Sequence, residues 1–136
     1  MKKVYLLASL ILVSCSANDV EELQLEYPEE KQISWNDSLS IQSLDYFLYF
    51  YSYGCGYCNK LKGPFLQYYY SHDTEIYFVN TEERMVIHST TDGLLGVSDI
   101  KHLFILGTPT LLEIKNNIVS EIYSGIHAIE GFIQTN

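Results

Sequence analysis

The chain has 136 residues, 47% of them hydrophobic, which suits one folded domain with a modest core. Seventeen acidic residues against eight Lys and Arg give a formal net charge of −9. An acidic chain without a basic stripe argues against nucleic acid as a partner.

The N-terminal segment MKKVYLLASLILVSC is typical of an export signal. Two lysines precede an apolar run over residues 4–13, which is about half the length that spans a bilayer. The run ends in LVSC, which resembles a bacterial lipobox. We therefore expect residues 1–14 to be a removed signal peptide and Cys15 to carry a lipid anchor. The alternative is an ordinary secretory signal in which Cys15 has no role.

The segment after Cys15 predicts a solvated tether. Residues 16–32 carry six acids, one lysine and little apolar periodicity. We expect the lipidated N-terminus and its acidic tether to cover 15–37, and the folded domain to cover 38–136. The anchor would place the domain in the cell envelope, in the periplasm or on the cell surface, where disulfides are permitted.

Downstream of the tether, the apolar pattern predicts alternating strands and helices. The run YFLYFYSY is continuous and aromatic, as expected of a strand buried on both faces. Strands are predicted at 46–53, 75–81, 109–114 and 118–125. Helices are predicted at 58–72, 97–105 and 126–134, and 38–45 is compatible with a short one.

Local details refine these elements. Gly63 and Pro64 predict a kink in the helix over 58–72, and the KNN turn at 115–117 tolerates positive φ. Residues 84–96 are ambiguous. The order of a strand, a crossover helix and a parallel strand, followed by a hairpin and a covering helix, predicts an α/β sandwich.

Cys55 and Cys58 are the residues that point to chemistry. Cys55 follows the buried strand and opens a helix. Cys58 lies one turn further on, so the two sulfurs share a side and can bond. The helix N-terminus offers unpaired N–H groups and a partial positive charge, which favour a thiolate at Cys55. Cys55 would attack a substrate disulfide, and Cys58 would resolve the mixed disulfide.

Two other roles of the pair stay open at this point. A structural zinc site needs four ligands, and none of the four histidines, His72, His88, His102 and His127, shows ligand spacing to another. No metal site is therefore expected. The pair could instead be a purely structural disulfide.

Two segments of the chain resemble the thioredoxin-like superfamily. YFLYFYSYGCGYCNKLKGPF is similar to the family's strand, cysteine motif and kinked helix. LGTPTLLEIKNNIVSEIYSGIHAIEGFI is similar to its cis-proline strand, hairpin, glycine and last helix. The resemblance implies a three-layer sandwich with a central mixed β-sheet flanked by helices, with Cys55 as nucleophile and Cys58 as resolving thiol.

The resemblance also implies a substrate-binding loop. Thr108 and Pro109 match the cis-proline position, where exposed backbone pairs with an extended substrate chain. Gly56 and Tyr57, between the cysteines, would contact substrate and tune the redox potential of the pair. Gly125 matches a glycine near the cysteines. Three tyrosines near the cysteines either pack in the core or form an apolar rim for protein substrates: Tyr51, Tyr53 and Tyr57.

Several features depart from the family pattern. Gly54 stands where many thioredoxins have a tryptophan, and Tyr49 stands where they bury an acid that accepts the proton of the resolving thiol. Residues 82–96 are longer than the matching connection in compact thioredoxins. The missing acid puts efficient general disulfide reduction in doubt.

Together these features predict a lipid-anchored, extracytoplasmic thiol-disulfide oxidoreductase that acts on exported proteins. It would be a monomer, would need no cofactor, and would rely on a membrane electron-transfer partner to reset the cysteine pair. The direction of electron flow stays open. One alternative is a non-catalytic accessory module for export or cofactor assembly, which Tyr49 and residues 82–96 favour. Another is a thiol carrier for copper or heme assembly.

Overall fold

A computed structural model describes residues 25–82 and 84–136 of the chain. In this part, five strands form one sheet and two α-helices pack against it. The strands are β1 (Gln32–Ile33), β2 (Tyr46–Tyr51), β3 (Ile76–Asn80), β4 (Thr110–Lys115) and β5 (Ile118–Ser124). The helices are α1 (Gly56–Ser71) and α2 (Ile126–Thr135).

The sheet is mixed, with the strand order β1-β3-β2-β4-β5. β1, β3 and β2 run parallel to one another, whereas β4 is antiparallel to β2 and β5 is antiparallel to β4. The parallel pair β2 and β3 is joined by the crossover helix α1, and the pair β4 and β5 is a hairpin. The predicted α/β sandwich is confirmed.

The central strand β2 is buried on both of its faces. Its aromatic and apolar sequence suits such a position, because these side chains pack well on a pleated surface. Tyr49 and Tyr51 point to one face and Leu48 and Phe50 to the other. All four side chains are at most 1% exposed.

Both α-helices lie on the same face of the sheet, which we name the helical face. Phe65 of α1 packs there against Tyr49 and Phe78, and Phe132 of α2 packs against Phe47 and Tyr123. α1 continues through Pro64. The helical face therefore forms one aromatic-rich core layer.

The opposite face, which we name the irregular face, is covered mainly by the β3–β4 connection. Leu94, Leu103 and Ile105 of this connection pack against Leu48 and Phe50. Within the described residues of the connection there is no α-helix, so the helix predicted at 97–105 is absent.

Hydrogen bonds to other segments explain the missing helix. Val119 donates its main-chain N–H to Val97 at 2.9 Å, and Gly96 donates to Val119 at 2.8 Å. Ile105 donates to Val86 at 2.9 Å. These tertiary partners satisfy main-chain groups that a helix would use internally, so pairing overrides the local helical spacing. Residues 38–45 likewise form turns, next to a short 3₁₀ helix at Trp35–Asp37.

The folded part begins earlier than the expected boundary at residue 38. Tyr27 is 4% exposed, and its ring centroid lies 4.0 Å from that of Tyr51. β1 pairs with β3, and the buried Trp35 packs on Phe50. Residues 25–37, assigned to the tether from their acidity, are thus part of the domain, because a few large aromatic side chains bury enough surface to hold them.

The predicted signal peptide, the lipidation site Cys15 and the first part of the tether lie outside the described residues. Across 25–82 and 84–136, we find no helix with the length and apolar character needed to cross a bilayer.

Candidate active site

Cys55 and Cys58 form a disulfide at the N-terminal end of α1. Their Cα atoms are 5.2 Å apart, a usual separation for this bond. Cys55 is the N-cap residue of α1, and its sulfur accepts a hydrogen bond from the Cys58 N–H at 3.0 Å. The pairing predicted from the spacing is therefore present, and a free N–H of the helix start points at the Cys55 sulfur.

The two sulfurs differ in accessibility. Cys55 is half-buried in the loop before α1, whereas Cys58 is 1% exposed and packs in the core of the helical face. A partner thiol or disulfide can therefore reach Cys55 more readily than Cys58. In a thiol–disulfide exchange, the more accessible sulfur of a pair is the one that an incoming partner meets first.

The Thr108–Pro109 loop lies directly beside Cys55. The peptide bond between these residues is cis, and the Thr108 carbonyl oxygen is 3.3 Å from the Cys55 sulfur. The Ser52 and Thr108 hydroxyl oxygens are 3.5 Å apart. The loop reaches the cysteines because β4 starts opposite the end of β2, with Thr110 paired to Phe50.

Gly125 is hydrogen-bonded to the same loop. Its φ is 84°, a left-handed conformation that favours glycine. Its N–H donates a hydrogen bond to the Pro109 carbonyl oxygen at 2.9 Å, and it is the N-cap of α2. The structure thus brings Gly125 to the proline loop.

The three tyrosines of the suggested rim divide into two groups. Tyr51 is 1% exposed and belongs to the core, whereas Tyr53 and Tyr57 are 54% and 59% exposed. Gly56, next to Tyr57 between the cysteines, is also exposed. The surface beside Cys55 therefore offers two exposed aromatic rings.

Tyr49 occupies the position that holds a buried acid in many thioredoxins, according to the resemblance. Its side chain is 0% exposed and stacks on Phe65 with centroids 4.2 Å apart. Burial raises the pKa of Tyr49 above its ordinary value, so the hydroxyl stays neutral and is no base near neutral pH. Among the described residues no Asp or Glu is buried, and the Tyr49 hydroxyl has no hydrogen-bond partner.

Glu82 is a site neighbour that the sequence did not reveal. Its carboxylate accepts a hydrogen bond from the Tyr53 N–H at 2.9 Å. The two residues are 29 positions apart in the chain, so no local pattern joins them. The available signal is topological, because β2 and β3 are parallel and the residues that follow them meet at one edge of the sheet.

The histidines do not assemble a metal site. Within the described residues, no group of three or more His, Cys, Asp or Glu side chains could hold a metal ion. His88 instead stacks on Phe104 with centroids 4.0 Å apart, and His72 stacks on Tyr68.

One fold accounts for three features of the structure: the mixed sheet, the crossover helix that starts at a Cys-x-x-Cys disulfide, and the adjacent cis-proline loop. The fold is thioredoxin-like. No family model matches the chain, and no curated protein matches it. Among solved structures, it is similar to the reduced thioredoxin pre-protein of Schistosoma mansoni, with a TM-score of 0.46 and 18% identity over 70% of this chain and 81% of that one. A similarity this distant carries neither function nor site residues to this chain.

Proposed function

We propose that this protein is a thiol-disulfide oxidoreductase that acts through Cys55 and Cys58. The observation that carries the proposal is the unequal pair at the start of α1. The accessible Cys55 sulfur accepts a hydrogen bond from the Cys58 N–H at 3.0 Å, whereas Cys58 itself is buried in the core. Hydrogen bonding and the positive end of the helix favour the anion on the sulfur that substrate can reach.

The exchange proceeds in two displacement steps. In the reduced protein, the Cys55 thiolate attacks one sulfur of a substrate disulfide; the substrate S–S bond breaks and its other sulfur leaves as a thiolate. Cys58 then loses its proton and attacks the Cys55 sulfur of the mixed disulfide. The Cys55–Cys58 bond forms, the second substrate sulfur leaves, and two electrons have passed to the substrate. The reverse sequence oxidises a substrate dithiol.

The Cys58 proton has no buried acceptor in the described part of the protein. Tyr49 stays neutral, and no carboxylate is buried there. We expect the departing substrate thiolate or water to take this proton. The resolving step should therefore accelerate with rising pH until Cys58 itself ionises.

Substrate binding is proposed at the edge formed by the cysteine loop and the proline loop. Thr108 would pair its backbone with an extended substrate chain, Pro109 would hold that backbone outward, and Gly56 and Tyr57 would contact the residues next to the substrate cysteine. The half-buried cysteine and the exposed Tyr57 ring suit a protein substrate that docks across a surface.

The proposed location is the outer side of a membrane, with Cys15 as a lipid anchor. The LVSC sequence supports it. There the protein would act as a monomer on exported proteins, and a membrane electron-transfer partner would reset the pair. Replacement of Cys15 by Ala should move the protein from the membrane fraction to the soluble fraction and remove the acyl mass. An unchanged distribution would contradict the anchor.

The activity is tested by disulfide turnover in both directions, with insulin reduction for one direction and oxidation of a dithiol peptide for the other. Cys55→Ser should reduce turnover to the background rate. Cys58→Ser should keep the first attack and trap a mixed disulfide on Cys55, which intact mass detects. Absence of turnover in both directions by the unmodified chain would overturn the proposal and favour a non-catalytic module.

A further inference from the structure

The loop that carries Cys55 is held by side chains from two sides. On one side, the Glu82 carboxylate accepts the Tyr53 N–H at 2.9 Å. On the other, the Asn59 side-chain amide of α1 donates to the Tyr53 carbonyl oxygen at 3.3 Å. Both main-chain polar groups of Tyr53, two residues before Cys55, are therefore fixed by partners outside the loop.

Glu82 is itself held in place by the end of β3. Its N–H donates to the Asn80 side-chain oxygen at 3.0 Å. The preceding Thr81 donates its N–H and its hydroxyl to the Tyr51 carbonyl oxygen, at 2.9 and 3.1 Å. Residues 80–82 thus tie the end of β3 to the end of β2, and the Glu82 side chain extends this connection to the cysteine loop.

The charges around the loop are unevenly balanced. The Lys62 ammonium of α1 is paired with the Glu26 carboxylate at 2.7 Å, and the Lys60 ammonium lies 5.5 Å from the centroid of the Tyr57 ring. The Glu82 carboxylate is solvent-exposed and, in the described part of the chain, no ion pair to a cation is found for it. Its negative charge is therefore felt at the loop, weakened by water.

We propose that Glu82 is a positioning residue for Cys55 that acts in two opposed ways: it holds the 52–55 loop at the start of α1, and its charge disfavours the thiolate that the helix N-terminus favours. This inference rests on the proposed function, since it concerns the same nucleophile. It assigns a role to the first residue of the 82–96 segment. Glu82 thus keeps Cys55 in position, while the Cys55 thiol is less acidic than the helix N-terminus alone would make it.

Two substitutions separate the two actions. Glu82→Gln keeps an oxygen that accepts the Tyr53 N–H and removes the charge, whereas Glu82→Ala removes both. Glu121→Gln is the matched control, because Glu121 is an exposed carboxylate on β5 that lies opposite Glu113, towards the far end of the sheet from Cys55. All variants are made in the full chain, and their unfolding by urea verifies that each one folds.

The first measurement is the pH midpoint of iodoacetamide alkylation of reduced Cys55, read by mass on the peptide that carries it. Glu82→Gln should lower this thiol pKa by about half a unit, because the removed charge is exposed and screened. Glu121→Gln should leave it unchanged. Equal midpoints for Glu82→Gln, Glu121→Gln and the unmodified chain would overturn the electrostatic action.

The second measurement is disulfide turnover at a pH where Cys55 is fully ionised. Glu82→Gln should slow turnover by less than about twofold, because a thiolate of lower pKa is a slightly weaker nucleophile, whereas Glu82→Ala should slow it by about fivefold as the loop loses its hold. Equal rates for Ala and Gln would overturn the positioning action. Alkylation does not require turnover, so the two proposals can fail separately. A chain without turnover whose Cys55 pKa still responds to Glu82→Gln as expected refutes the proposed function alone. A chain with turnover in which the Glu82 substitutions have no effect refutes this inference alone.

Discussion

The two faces of the sheet are covered in different ways. On the helical face, two α-helices pack on the aromatic side chains of β2 and β3. On the irregular face, the turns of the β3–β4 connection supply Leu94, Leu103 and Ile105, each at most 1% exposed. The second layer is as closed as the first, although its backbone is not periodic. A layer can therefore pack densely without a helix, provided that its main-chain N–H and C=O groups find hydrogen-bond partners. Here a neighbouring strand supplies part of these partners.

The candidate site lies at the edge where these two layers meet. The helical face supplies α1 with Cys55 and Cys58, and the connection over the irregular face supplies Glu82 and Thr108. The start of α1 thus provides the disulfide, and the irregular connection provides the groups that contact Cys55 and the loop before it. This division is common where a rigid scaffold positions functional loops.

The largest effect is expected on the helical face. Phe65→Ala removes a side chain that is 0% exposed and stacked on Tyr49. The cavity and the lost apolar burial should reduce the free energy of unfolding by about 3–5 kcal/mol. Urea unfolding followed by circular dichroism measures it. A loss below about 1 kcal/mol would mean that this face is not the tightly packed layer described.

The same measurement on the irregular face tests whether turns pack as well as helices. Leu94→Ala, at a side chain that is 0% exposed, should reduce the free energy of unfolding by about 3 kcal/mol. The adjacent Leu95 is 61% exposed, and Leu95→Ala should change it by about 0.5 kcal/mol or less. Similar losses for the two variants would contradict the closed irregular layer.

Two tyrosine hydroxyls sharpen the comparison further. The buried Tyr49 hydroxyl of the helical face has no partner among the described residues, so Tyr49→Phe should leave the free energy of unfolding unchanged or raise it by about 1 kcal/mol. On the irregular face, Tyr46 donates to the Ser38 carbonyl oxygen at 2.9 Å. Tyr46→Phe should lower the free energy by about 1 kcal/mol. Destabilisation by Tyr49→Phe would reveal a bond to that hydroxyl.

The smallest expected effect is a pH dependence of the free energy of unfolding, which arises from Glu75 at the margin of the irregular face. The Tyr77 hydroxyl, with smaller help from Ser43 and Lys31, lowers the pKa of Glu75 below its ordinary 4.5. The folded state then binds this proton less readily than the unfolded state, so its contribution to stability is present above pH 4.5 and is lost as the pH falls through the lowered value. Because Glu75 is exposed, the contribution is small.

Tyr77→Phe tests that contribution, since it removes the main cause of the lowered Glu75 pKa. The free energy of unfolding is measured by urea at pH 3 to 6, about the range over which an Asp or Glu titrates. The variant should lose less stability than the unmodified chain as the pH falls. Identical pH dependence in the two proteins would remove the Tyr77–Glu75 bond as its source.

Local patterns were sufficient for the regular elements on and around the helical face. The aromatic run predicted β2, the spacing after Cys58 predicted most of α1, and the KNN turn predicted the hairpin, where Asn116 and Asn117 have φ of 51° and 60°. These features depend on residues a few positions apart. The helix predicted at 97–105 failed because its main-chain groups bond to distant residues instead.

The sequence by itself determined the strands β2 to β5, the helices α1 and α2 and the close approach of Cys55 and Cys58, because side-chain periodicity and the rise of one helical turn are local properties. Only the tertiary structure decided that Tyr27 and Trp35 belong to the core and that Glu82 holds the loop before Cys55. It also decided that Tyr51 is buried while Tyr53 is exposed. These outcomes depend on which chain segments meet at the edge and on the faces of the sheet, and a contact between distant segments leaves no periodic trace in the sequence.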